Sequence, residues 1–184
     1  SPQSAGPGAG LVKWFFYPGF SADSGGLLRE AHAIDDRPAA AASARQWLVG
    51  QGVQPRSGER LVSLFAYAHA PLEALFERLD TEPTLLLAAA GASQAHALAL
   101  FDRDGRRGRH LRAHALPWFD QPGYDRLLRA CDLNLARGED SIVRSMWVGA
   151  PFVWHIYAQA DGAHAAKLEA LLDLVTEGAE PALA

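Results

Sequence analysis

Arg137-Gly138-Glu139-Asp140-Ser141 brings a guanidinium, two carboxylates and a hydroxyl into one short stretch. The apolar run Leu133 to Ala136 ends just before it, and the run Pro151 to Ile156, leading into Tyr157, follows a short helical segment from Ser141 to Val148. The order reads as strand, glycine-containing loop, helix and strand. In α/β proteins, loops at the carboxyl ends of strands bind ligands, and helix N-termini attract phosphate. A guanidinium and helix-start N–H groups hold phosphate oxygens, while carboxylates orient or deprotonate an incoming nucleophile. The spacing also predicts Asp140 as a helix cap, accepting from backbone N–H groups instead of facing a phosphate.

Other candidate groups lie at the ends of neighbouring apolar runs. Leu61 to Tyr67 reads as a strand carrying Phe65 and Tyr67, with His69 just beyond. His110 to Leu116 leads into Trp118, Gln121 and Tyr124, and the last apolar run leads into Tyr157 and Gln159. Rings stack on a flat base, so this set with Arg137 suits a nucleotide diphosphate. The 7 histidines are scattered, and with 1 cysteine no metal-ligand spacing arises. No metal and no cofactor are predicted. His155, in an apolar strand, and His164, on an apolar helix face, read as hydrogen-bonded structural residues.

Several elements must position these groups. Ala39 to Leu48 is a predicted helix, closed by Gly50 and Gly52. Leu72, Leu75, Phe76 and Leu79 recur at helical spacing, Thr84 to Ala89 is a short apolar run, and Ser93 to Leu100 looks helical. Asp102 to Arg109 is a charged turn. Tyr124, Leu127, Leu128 and Cys131 mark another helical face, and His164, Leu168, Leu171, Leu172 and Val175 a last helix. Strand and helix thus alternate five times, which predicts an α/β fold: a Rossmann-like parallel sheet with helices on both faces. In such a sheet all the strand ends above emerge on one side.

The 184 residues suit one domain, or one domain and part of another. A composition 49% hydrophobic and 21% charged is that of a globular chain with a core. The net charge of -4, without a basic block, gives no nucleic-acid surface, and no apolar run is long enough for a membrane span. Cys131 reads as a core residue of a cytoplasmic protein. Residues 1–10 read as a disordered segment or linker, and residues 11–59 do not share the regular pattern that runs from 60 to 184.

Arg137 to Tyr157, in full Arg-Gly-Glu-Asp-Ser-Ile-Val-Arg-Ser-Met-Trp-Val-Gly-Ala-Pro-Phe-Val-Trp-His-Ile-Tyr, closely resembles the motif of bacterial protein-arginine rhamnosyltransferases that modify translation elongation factor P. Leu133-Asn134, Gln121, and Tyr124-Asp125-Arg126-Leu127-Leu128 are similar to that family. So are Phe16-Tyr17-Pro18-Gly19-Phe20 and Gly25-Gly26-Leu27-Leu28-Arg29-Glu30. The resemblance implies a GT-B glycosyltransferase with two facing Rossmann-like halves. Such an enzyme transfers rhamnose from dTDP-β-L-rhamnose to an arginine side chain, with inversion and without a metal. It further implies that residues 60–184 are the donor-binding half, and that residues 11–59 are the end of the N-terminal half and the interdomain linker.

By the same resemblance, Phe65, Tyr67, Trp118, Gln121, Tyr124 and Tyr157 line the thymidine and sugar pocket. Arg137, Asp140 and Ser141 hold the diphosphate, and Glu139 is the catalytic residue facing the reacting centre. An Asp-Asn-Phe-Gly-Asp-Ile-Gly type motif, whose aspartate serves the family as base, does not occur in this sequence. The chain is therefore expected to bind donor and to be inactive alone. Two other readings stand beside this one: another metal-independent GT-B enzyme with a different nucleotide sugar, and a non-catalytic nucleotide-binding module.

Overall fold

A computed structural model of the chain describes residues 16–30, 37–103 and 110–177. The segment predicted as linker at 1–10 and most of the charged turn at 102–109 lie outside them. The chain divides into two compact units, Ser1–His32 and Ala33–Ala184. In the first, Gly25 donates its N–H to the Tyr17 carbonyl at 3.0 Å, and Gly19 to that of Gly26 at 3.2 Å. A Cβ on Gly25 would overlap the Phe16 ring, which would have to turn aside.

The second unit runs α1 (Arg37–Gly50), β1 (Arg60–Leu64), α2 (Leu72–Leu79), β2 (Thr84–Ala88), α3 (Gln94–Arg103) and β3 (Leu111–Ala115). It continues α4 (Gln121–Ala130), β4 (Leu133–Arg137), α5 (Gly138–Val148), β5 (Phe152–His155) and α6 (Ala163–Thr176). The five strands form one sheet, parallel throughout, in the order β3-β2-β1-β4-β5. The α/β Rossmann-like arrangement expected from the alternating pattern is the one observed.

β2 is buried along its whole length, as a central strand covered on both faces must be. On one face, Leu61, Leu85 and Leu87 pack with Ala44 and Leu48 of α1 and Leu127 and Ala130 of α4. On the other, Val62, Leu64 and Leu86 meet Leu72 and Phe76 of α2 and Ala97 and Leu100 of α3. Right-handed crossovers explain this division. While the sheet grows from β1 to β3 its helices fall on one side, and after the reversal to β4 they fall on the other.

The helix α1 precedes Arg60, yet it packs within the sheet unit. Arg45 donates from Nε to the Ala130 carbonyl at 3.0 Å and from Nη2 to the Asp132 carboxylate, whose other oxygen accepts the Leu61 N–H at 2.9 Å. Cys131 lies just past α4 in extended backbone, not on its helical face. Its thiol is buried all the same, and burial, followed by the charge of Asp132, pushes its pKa well up. No helix among the described residues is long and apolar enough to cross a membrane.

Candidate functional site

β1 and β4 are neighbours in the sheet, but the chain leaves β1 toward β2 and arrives at β4 from β3. The crevice between their carboxyl ends is the topological switch point, where parallel α/β sheets bind ligands. Phe65 and Tyr67 follow β1, and Arg137 closes β4. The Arg137 guanidinium carbon stands 4.3 Å from the Phe65 ring centroid and 5.1 Å from that of Tyr67, and Nη1 approaches the Ala66 carbonyl at 3.4 Å. Aromatic faces attract such a cation and hold it extended.

Further rings extend the group. Phe65 meets Tyr124 of α4 edge-on at 5.5 Å, and Tyr67 meets Tyr157, beyond β5, at 5.5 Å. Phe65, Tyr67, Tyr124, Arg137 and Tyr157 are therefore one contact network. Ser141 is buried behind it, next to Tyr124. The Tyr124 hydroxyl faces Ser141 without a well-formed hydrogen bond, and burial pushes its pKa up to about 12, so it stays protonated. Trp118 (78% exposed), Gln121, Glu139 and Asp140 are exposed and stand outside this network.

The turn into α5 differs from expectation in two ways. Arg137 to Ser141 is not a loop, because α5 begins at Gly138, directly after the strand. Gly138 has φ +72°, a conformation that costs a residue with a Cβ about 1–2 kcal/mol, and it lets strand become helix without intervening residues. The Tyr67 hydroxyl lies 3.6 Å from where that Cβ would be, and Trp154 donates from Nε1 to the Gly138 carbonyl at 3.1 Å. Second, Asp140 does not cap the helix. It lies inside the first turn and accepts from Arg144 Nε at 2.9 Å, while the N-cap residue Arg137 makes no side-chain cap bond.

Both Glu139 and Asp140 therefore sit in the first turn of α5, where the helix dipole favours negative charge. Glu139 is 3.6 Å from the Lys167 ammonium of α6, an exposed pair of little energetic weight. Asp140 shares Arg144 with Asp125 of α4, whose carboxylate oxygens accept from Nη1 at 2.9 and 3.0 Å. Burial disfavours the Arg144 charge, but the bonds to Asp125 and Asp140 outweigh it and raise the pKa. This largely buried pair ties α4 to α5 beside the site. Asp125→Ala leaves Arg144 with one exposed partner, and we expect a loss of about 3 kcal/mol in urea unfolding. Asp125→Leu combined with Arg144→Met should recover most of it.

Gly91, Asp125 and Arg144 bear on the site without having a role assigned from the sequence. Gly91, in the loop after β2, has φ +154°, and a Cβ there would stand 3.3 Å from the Phe65 ring and 3.8 Å from Arg137 Nη2. A glycine ending an apolar run was the available signal. The i,i+4 spacing of Asp140 and Arg144 was equally visible, but its meaning depends on Asp125, which only folding brings near.

Comparison with known proteins decides the family. All of residues 1–184 match the family model described as elongation-factor P (EF-P) rhamnosyltransferase EarP. The chain belongs to the EarP family. It is 44% identical over 182 residues to the protein-arginine rhamnosyltransferase of Pseudomonas aeruginosa, covering 92% of this chain and 48% of that protein. The protein-arginine rhamnosyltransferase of Shewanella oneidensis is 35% identical (96% and 49% covered), and that of Neisseria meningitidis 34% (89% and 45%). A solved structure concerned with EarP-mediated arginine glycosylation of translation elongation factor EF-P superimposes with a TM-score of 0.75 at 36% identity. That match covers 91% of this chain and 56% of the other. The chain thus spans about half the length of the EarP relatives it matches.

Proposed function

We propose that this chain is the donor-binding half of a GT-B protein-arginine rhamnosyltransferase, which takes dTDP-β-L-rhamnose and glycosylates an arginine of translation elongation factor P in the cytoplasm. The observation that carries the reading is Arg137, stretched over Phe65 and Tyr67 at the switch point and immediately preceding the N-terminus of α5. It makes no ion pair to a carboxylate among the described residues, so its charge is available to a diphosphate. Phe65, Tyr67, Trp118, Gln121, Tyr124 and Tyr157 take the thymidine and sugar.

Arg137 holds the diphosphate together with the first-turn amides of α5, which lack intrahelical acceptors. Ser141 is buried and supports that turn from behind, and Asp140 acts through Arg144. As the glycosidic bond breaks, negative charge collects on the diphosphate, and these donors stabilise it without a metal. Guanidinium is a poor nucleophile, always protonated near neutral pH. Attack with inversion needs carboxylates to orient it and take its proton: Glu139 here, and a base from the N-terminal half. Residues to His32 belong to that half, and α1, packed on α4, to the donor half.

Saturation-transfer NMR with dTDP-rhamnose, a UDP sugar and an ADP sugar tests the donor. We expect strong transfer to the thymine methyl and rhamnose protons, and little to the other two. Equal transfer to the UDP sugar would favour a different GT-B enzyme. Adding the N-terminal half of a relative and assaying rhamnosylation tests the reaction, since binding without transfer would favour a non-catalytic module.

A further inference from the structure

We propose that His155 is a positioning residue, a proton-dependent clamp whose neutral imidazole holds the Tyr67 backbone in place within the aromatic wall. The inference deepens the donor-site reading above and rests on it for its effect on binding. The clamp itself is a separate, testable contact.

Beyond β1 the chain leaves the sheet step by step. The Phe65 N–H still donates to the Leu135 carbonyl at 2.9 Å, and the Ala66 N–H reaches Ser93 Oγ at 3.3 Å. The Tyr67 N–H donates to His155 Nδ1 at 3.2 Å. His155 pairs with Arg137 in the β4–β5 register, so its ring crosses the end of β4 to reach the segment after β1. A side chain of an edge strand thus takes up the Tyr67 N–H, beyond the bonds that Ser93 and Arg137 make to Ala66. The Tyr67 ring lies 5.2 Å from the His155 ring and, as above, contacts both Tyr157 and the Arg137 guanidinium. Tyr67 thus touches two further groups of the site.

An Nδ1 that accepts carries no proton, so the clamp requires the neutral Nε2–H form. Tyr67 and His69 face His155 from the segment after β1, with His69 5.0 Å away; Arg137 faces it from β4, and Tyr157, beyond β5, meets Tyr67. Burial, then His69, then Arg137 lower its pKa from the ordinary histidine value. The stability linked to the neutral ring is therefore present above about pH 6.5 and lost as pH falls through the lowered folded value. Protonation removes the acceptor of Tyr67 and adds a cation beside Arg137 and His69.

The test uses the whole chain and two variants. His155→Asn keeps an acceptor near the Nδ1 position but cannot be charged, and His155→Phe keeps a ring but has no acceptor. In ligand-free 15N NMR from pH 7.5 to 5.0, the wild-type Tyr67 amide should shift with the His155 titration. It should stay put in H155N and exchange rapidly at every pH in H155F. Titration with dTDP-rhamnose, whose phosphates do not ionise in this range, should show affinity falling about tenfold in acid for wild type, the effect of one hydrogen bond. H155N should bind equally at both pH values, and H155F should bind about tenfold more weakly at both.

Wild-type affinity in H155F, an unresponsive Tyr67 amide, or affinity rising in acid would each overturn the proposal. The last is what a charge merely attracting phosphate predicts. A responsive amide with no dTDP-rhamnose binding at any pH would uphold the clamp and overturn the donor reading instead.

Discussion

Arg137→Ala is expected to weaken dTDP-rhamnose binding by about 100-fold or more while leaving the fold intact. Charge-assisted hydrogen bonds contribute about 1.5–3 kcal/mol each, and about 2.7 kcal/mol corresponds to 100-fold. In the ligand-free protein the side chain does little by comparison. It packs on Phe65 and Tyr67 and makes one long contact to the Ala66 carbonyl, so unfolding should shift by no more than about 1 kcal/mol. Arg137→Lys should recover only part of the affinity, because an ammonium neither forks onto two oxygens nor spreads over two rings. Calorimetry with dTDP-rhamnose measures this. Unchanged affinity in Arg137→Ala would remove the diphosphate role, and with it the observation that carries the proposed function.

Glu139→Ala, made in the complete two-half enzyme, should separate binding from transfer. Glu139 is 73% exposed at the side chain, and its one ion pair, to Lys167, spans 3.6 Å. Its removal leaves the fold untouched. It also takes a negative charge away from the expected diphosphate, so donor affinity should be equal or slightly higher. Transfer to arginine should fall by about 10²–10⁴, the usual contribution of a positioned acid or base. Glu139→Gln, which keeps size and polarity without charge, should be nearly as impaired. A variant that loses donor affinity and transfer together would place Glu139 in donor binding and not against the acceptor. One that retains full transfer would leave the carboxylate without a catalytic task.

Most of the sheet was legible because its signals are local. Thr84 to Ala88 has room for nothing but a buried strand, and Leu72, Phe76 and Leu79 repeat with the period of a helix that buries one face. The start of α5 is not legible in the sequence, because Glu139 and Asp140 are polar and follow a glycine, the usual marks of a loop. At φ +72° the glycine instead joins strand to helix, and the polar pair becomes its first turn. Asp140 has the right chemistry for a cap, but Arg144 takes its carboxylate. The helix α1 was legible as a helix and not as part of this unit, since its alanine-rich sequence says little about which partner it covers.

The residues that could do chemistry at the strand ends, and the alternation that makes those ends coincide, are properties of the sequence, because period and composition act over neighbours in the chain. Folding alone selected among them. It laid Arg137 over Phe65 and Tyr67, buried Ser141 behind Tyr124, left Trp118 and Glu139 in solvent, and set His155 against the Tyr67 amide. Those outcomes depend on which strand lies beside which and on which buried polar group finds a partner. Both are decided by contacts between residues far apart in the chain.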